Sequence, residues 1–150
     1  MPGLRLTLGV STFVPKAHTP FQWEPVRPEA EKRLKLLAKR LKPKGIELRP
    51  ESYGWSVIQA LLSRGDRRLA PLIATVRGEP ASLGSWKRAY REALDRPSGP
   101  GALPPPPAWE SLVHGRWSAQ AVLPWDHLRG PLPLATLRAH RQEALAEAGA

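Results

Sequence analysis

No cysteine occurs among the 150 residues. That excludes disulfides, zinc–thiolate sites and any iron–sulfur cluster ligated by cysteines of this chain. No uninterrupted apolar run approaches the roughly 18 residues of a transmembrane helix. The opening MPGLRLTLGVSTF has too short an apolar stretch to read as a secretory signal, and no Ala-x-Ala site comes after it. A cytoplasmic location is the expectation on both counts. P-loop, dinucleotide fingerprint, HExxH and nucleophile elbow are missing. His18, His114, His127 and His140 never fall three or four residues apart, so a histidine metal site would need long-range convergence. No internal repeat, heptad run or carboxylate pair of the glycosidase kind is evident.

Acidic residues are also scarce. Asp and Glu number 13 against 23 Lys and Arg, for a formal charge of +10. The excess belongs to the first half: residues 1–75 hold 14 basic and 6 acidic side chains, the remainder 9 and 7. Such a balance favours salt-dependent attraction to anionic partners without naming one. What is abundant is proline, 18 residues, far above ordinary usage.

Leu4, Leu6, Leu8 and Val10 alternate with Arg5, Thr7 and Gly9, the period of a strand, which Pro15 ends. Pro28, Glu29 and Glu31 suit a helix start, and Ala30, Leu34, Leu37 and Leu41 recur at helical spacing. Pro43 and Gly45 stop that helix before a short strand at Ile46–Leu48. Strand, helix and strand in this order predict a parallel βαβ unit. Ser52, Asp66 and Ser82 or Ser85 are candidate caps for three further helices. Residues 96–107 are half proline and read as an extended linker. Beyond it the chain is weakly helical from Trp109, turns at Leu123–Asp126, and ends in a helix from Leu134 to Ala148.

Three islands carry candidate chemistry. In the first, Lys16 and His18 lie just past a strand terminus, where α/β proteins place ligand sites. Lys16 suits an anionic group and His18 a proton or hydrogen bond, while Phe21 and Trp23 could wall a planar ligand. The alternative is a rigid loop whose aromatics cap a core. In the second, Arg64, Asp66, Arg67 and Arg68 form either an anion grip or a salt-bridged corner between helices. In the third, Trp125 plugs back onto the domain and Asp126 caps the next segment of chain.

The run from Ser11 to Trp23 resembles the serine–phenylalanine–valine–proline–lysine segment of B12-binding-domain-containing radical SAM proteins, ending in threonine–proline–phenylalanine–glutamine–tryptophan as Thr19 to Trp23 does. Ser63 to Arg68 and Pro124-Trp125-Asp126, with Gly130 after it, match two further blocks of that family. Ala17 departs from the family's common proline, and the proline-rich run replaces a more ordered segment.

The resemblance implies an α/β fold: a fragment of a partial TIM-like radical SAM barrel with a parallel βαβ unit, then a mainly helical extension. It divides the chain into barrel strands and helix at 1–50, a helical subdomain at 51–95, the linker at 96–108 and a helical tail at 109–150. It implies a segment that shapes the barrel mouth with the pocket residues Lys16, His18, Thr19, Phe21 and Trp23. It further implies a partner half or domain bearing the cysteines, with a [4Fe–4S] cluster, S-adenosylmethionine and cobalamin belonging to the parent. No catalysis by this chain alone is expected, for want of cysteine. The competing reading is a basic module for RNA or another polyanion, resting on the cationic first half and six tryptophans.

Overall fold

The computed structural model of the chain describes residues 5–77, 82–95, 99 and 101–148. Leu4 of the expected first strand, and Arg96, Pro97, Ser98 and Pro100 of the expected linker, lie outside the described residues. In chain order the elements are β1 (Leu6–Val10), α1 (Glu29–Leu41), β2 (Ile46–Pro50), α2 (Tyr53–Arg64), α3 (Ala70–Val76), α4 (Leu83–Leu94) and α5 (Leu134–Ala148). Short 3-10 turns come after α1 and before α3, and a π-helical turn spans Glu110–His114.

The two strands pair in parallel, Leu6 opposite Ile46 and Leu8 opposite Leu48. Side chains in register share a face, so these four leucine and isoleucine residues stand together. α1 has acidic residues in its first turn and basic ones in its last, and Glu31 accepts from Lys35 at 2.7 Å one turn on. Gly45, at φ 70°, supplies the left-handed turn into β2. The half-buried stripe of α1, Leu34, Leu37, Ala38 and Leu41, packs over β2 rather than over β1. Leu6 and Leu8 therefore stay 52% and 42% exposed.

The rest is helical. Ser52 caps α2 by accepting from the Trp55 N–H, and Ser82 caps α4 by accepting from that of Ser85. Pro71 falls in the first turn of α3, where its missing N–H costs nothing. α2, α3 and α4 close a core of Val57, Ala60, Leu61, Leu69, Leu72, Ala89 and Tyr90. Val26, Leu112 and Val113 complete it from the loops. A second cluster joins Trp23, Leu123, Trp125 and Leu137, and Trp117 packs against both.

A fragment of a TIM-like radical SAM barrel is not what forms. Among the described residues the only sheet has two strands and both outer edges are unpaired. The helices after β2 pack on one another and on the turn at 110–114 instead of returning to the sheet, so no barrel wall accumulates. The outcome is a mostly helical fold with a small open βαβ unit at one side. Trp109 to Val122, expected to be weakly helical, is helical only at Glu110–His114. Backbone groups beyond that turn go to the loop at 22–26 instead: Trp117 N–H donates to the Trp23 carbonyl at 2.9 Å. The described part of the proline run has no helix or strand and is exposed except at Pro106, which is buried.

Gly65 joins α2 to the turn before α3. A Cβ there would collide with the Leu69 side chain and lie 2.8 Å from the Leu61 carbonyl oxygen. Gly65→Ala is expected to cost about 1–3 kcal/mol by overpacking. Urea melts of the variant read this directly, and a change within about 0.3 kcal/mol would show that the corner relaxes freely.

Candidate functional site

The three islands meet. Ser63 Oγ donates to the Pro15 carbonyl at 2.9 Å, tying the second to the first. The Trp125 indole N–H donates to Gln22 Oε1 at 2.7 Å, tying the third to the first. The same Gln22 oxygen accepts from the His18 backbone N–H at 3.0 Å. Gln22 is buried and its oxygen has two lone pairs, so these two donors saturate it.

The loop at 22–26 is buried throughout, and most of its polar side chains and several backbone groups are paired, the Trp23 indole N–H being the exception. Val26 N–H donates to the Val113 carbonyl at 3.2 Å, and Val26 O meets His114 Nδ1 at 2.8 Å. Glu24 is the acid of this region. Its Oε2 accepts from Arg116 Nε at 3.0 Å, and its Oε1 accepts from Arg141 Nε and Nη2 at 3.0 and 2.6 Å. Arg141 lies on α5, so a buried carboxylate anchors the C-terminal helix. Arg138 of the same helix donates twice to the Ala119 carbonyl.

The arginines of the second island part ways. Arg64 is 0% exposed. Its Nη1 and Nη2 donate to the carbonyls of Val113 and Gly115 at 3.2 and 2.7 Å, and its guanidinium stacks 3.8 Å from the Trp117 ring centroid. Its Nε has no partner. Burial lowers its pKa to about 10, opposed in part by the Glu24 carboxylate, so it stays charged at neutral pH. Asp66 caps the turn before α3 by accepting from the Arg68 N–H at 2.9 Å, and it holds the Arg68 fork with both oxygens at 2.7–3.0 Å. That fork holds the Asp66 carboxyl below the usual carboxylate range and raises Arg68. Arg67 is exposed. Arg64, Asp66, Arg68 and Trp117 line one side of a 390 Å³ cleft, with Pro106 and Leu123 opposite.

The first island's candidates do not share one pocket. Trp23 is in the interior with Leu123, Trp125 and Leu137. Lys16 is exposed, and its carbonyl accepts from Thr19 Oγ1 at 2.8 Å. His18 holds a left-handed backbone, φ 57°, and its ring packs on Gly130, where a Cβ would lie 2.5 Å from Nδ1. It faces a shallow depression with Asp126 and Arg129. Phe21 sits edge-on to Phe13, centroids 6.1 Å apart, beside a separate slot that Thr12 and Leu145 also line. Asp126 accepts from the Leu123 N–H at 2.8 Å, closing its turn. Glu24, Tyr90, Arg116 and Arg141, which organise this region, were not among the sequence candidates. Glu24 alone carried a signal: an acid between Trp23 and Pro25 in a run otherwise apolar enough to be buried.

Neither an iron–sulfur cluster nor a metal ion finds ligands among the described residues. The chain has no cysteine, and among the described residues no group of three or more His, Asp or Glu could hold a metal ion. Among these residues, too, no helix is long and apolar enough to cross a membrane.

No known family's sequence profile matches the chain, and no solved structure matches it. The chain is similar to the uncharacterized protein MJ0966 of Methanocaldococcus jannaschii, 26% identical over 84 residues, which is 56% of this chain and 19% of that protein. The match thus spans about a fifth of the relative's length. With no barrel to shape and no family match, the expected role at a radical SAM barrel mouth is overturned, and the B12-domain and barrel descriptors go with it.

Two outcomes are expected from the charges. Arg64→Ala should cost about 3–5 kcal/mol, because two charge-assisted bonds are lost, the Gly115 carbonyl loses its donor and a buried side chain's volume is vacated. Arg64→Lys recovers only part, since an ammonium lacks the fork. Asp66→Asn is expected to cost about 1–2 kcal/mol at pH 7. The folded Asp66 carboxyl ionises below the unfolded one, so its contribution is complete above about pH 4 and is lost as pH falls through the folded value. Urea melts of wild type and Asp66→Asn should therefore converge in acid; a constant gap from pH 7 down to pH 2 contradicts the assignment.

Proposed function

We propose that this chain is a docking segment, which adds β1 and β2 to the parallel sheet of a larger α/β partner domain. The observation that carries the reading is the exposure of Leu6 and Leu8 on a two-stranded parallel sheet whose helix covers only the other strand. Parallel sheets are stable when both faces are covered, and a two-stranded sheet alone is marginal in water. An open edge beside exposed leucines is a surface that pairs with something. The similarity to about a fifth of a much longer protein supports an occupant of that kind, on the same polypeptide or another.

Other features agree. The side chains suited to chemistry are engaged within the chain: Arg64 with carbonyls, Asp66 with Arg68, Gln22 with Trp125. The βαβ unit carries cations outward, with Lys32, Arg33, Lys39 and Arg40 exposed on α1. The complementary partner therefore offers a parallel strand edge with an acidic rim, which speeds encounter and fixes register.

A photo-crosslinking residue in place of Leu8, used in the native host, tests this. The expected product joins Leu8 to a β-strand segment of one protein. Leu6→Asp with Leu8→Asp should weaken that complex at least about a hundredfold, from the loss of two buried leucines. The helical circular dichroism should be unchanged, because both side chains are already exposed. Crosslinks to RNA, to a second copy of this chain, or to nothing overturn the proposal.

A further inference from the structure

Pro104, Pro105, Pro106 and Pro107 are consecutive. Each ring fixes φ near −65°, and a proline after a residue drives that residue extended, so the run is held in a polyproline helix by covalent geometry. Such a helix has no internal hydrogen bonds, and its carbonyls are strong, unengaged acceptors. Two of them are taken here. Tyr90 Oη donates to the Pro107 carbonyl at 2.6 Å, and Arg68 Nη1 donates to the Pro105 carbonyl at 3.3 Å. Pro106, between them, is buried.

The donors are prepared for this task. Asp66 occupies Nε and Nη2 of Arg68, which leaves Nη1 directed at the proline run. Tyr90 is 1% exposed, and Trp109 stands edge-on to its ring, centroids 5.2 Å apart at 89°. A buried aromatic hydroxyl and a fixed guanidinium reaching alternate carbonyls of an extended proline run are the elements by which aromatic grooves recognise proline-rich peptides. The fit is incomplete: a 220 Å³ gap remains between Arg68, Pro71 and Ala93 on one side and Leu103, Pro104 and Pro105 on the other. Close-packed segments leave no such volume, so this strap is seated by its carbonyls more than by its rings.

We propose that Arg68 and Tyr90, on the surface between α3 and α4, form a recognition seat for proline-rich segments, filled in cis by Pro104–Pro107. A proline-rich stretch of another protein takes the same seat once the strap lifts. Pro106 and Pro107 also wall the 390 Å³ cleft, so an exchange of straps opens that cleft to solvent. This proposal rests on the proline run and its donors and is independent of the sheet-docking role.

The tethered strap competes at an effective concentration of order millimolar. An octaproline peptide should therefore bind the natural chain weakly. It should bind the vacated variant, with all four residues Pro104→Ser, Pro105→Ser, Pro106→Ser and Pro107→Ser, about tenfold more tightly or better. Adding Tyr90→Phe to that variant should abolish binding, and a Gly-Ser octapeptide should not bind either form. Should the vacated variant fail to fold, Tyr90→Phe in the natural chain provides the second reading: hydrogen exchange at the amides of Ala102 and Leu112, which donate to the Gly99 and Ala108 carbonyls at either end of the strap, should accelerate at least about tenfold as the strap lifts. A vacated variant that keeps its helical circular dichroism yet ignores octaproline, or a Tyr90→Phe chain with unchanged exchange at those amides, overturns the proposal.

Discussion

The Arg64 guanidinium is the constraint on which the helical body depends. It ends α2, lies wholly out of solvent, and reaches two carbonyls of a segment 49 and 51 residues away. A cation in that position is tolerated only because carbonyl oxygens and the Trp117 face replace its hydration. The requirement works in both directions. The π-helical turn ends at His114, and the Gly115 carbonyl just past it takes its donor from Arg64, while the Val113 carbonyl is shared between Arg64 and the Val26 N–H. The segment then reaches back to the loop at 22–26 through Trp117 and Val113.

Glu24 does for the C-terminal helix what Arg64 does for the middle of the chain. α5 buries only Leu137 among its fifteen residues, too little apolar surface to hold a helix in place. Arg141 on Glu24 and Arg138 on the Ala119 carbonyl provide the rest. The regions beyond α4 are thus held by side chains gripping backbone and by one buried carboxylate, with hydrophobic clusters as filling. Polar attachments of this kind are directional, so they specify one arrangement where a small apolar contact would allow several.

That division explains which parts were legible from the sequence. The βαβ order, the caps Ser52 and Ser82 and the bounds of α5 come from local signals: alternation, helical spacing, a hydroxyl before an apolar run. The barrel expectation came from a resemblance and failed on a non-local fact, namely that nothing after β2 lays a third strand on the sheet. The site readings divide along the same line. Asp66 meets an N–H two residues away, a relation within reach of sequence spacing. Trp23 presents a different case, since a tryptophan after prolines can wall a ligand or fill a core. The choice was made by Leu123 and Leu137, at least a hundred residues distant. Arg64 and Arg68 look equivalent in sequence, but helix phase turns the first inward and leaves the second on the rim with Asp66.

The βαβ unit stands apart from this network. α1, β1 and β2 bury no side chain fully, and the unit joins the body at Glu51 and Ser52 and through residues 11–28, which include the buried loop at 22–26, while a bond from the Glu51 N–H to the Val10 carbonyl at 2.9 Å closes its strand ends. A module with its own hydrophobic core gains nothing from presenting leucines and an open ladder to water. A module that completes its core on another surface requires both. On the proposed docking role, the exposed leucines and the exposed cations serve one surface, with apolar strand and charged helix side by side. The helical body behind it differs in burying two charged side chains, Arg64 and Glu24, each held by several hydrogen bonds. The chain thus joins a body held by buried polar contacts to an open strand edge, and the bond from Ser63 Oγ to the Pro15 carbonyl ties the segment after β1 to that body.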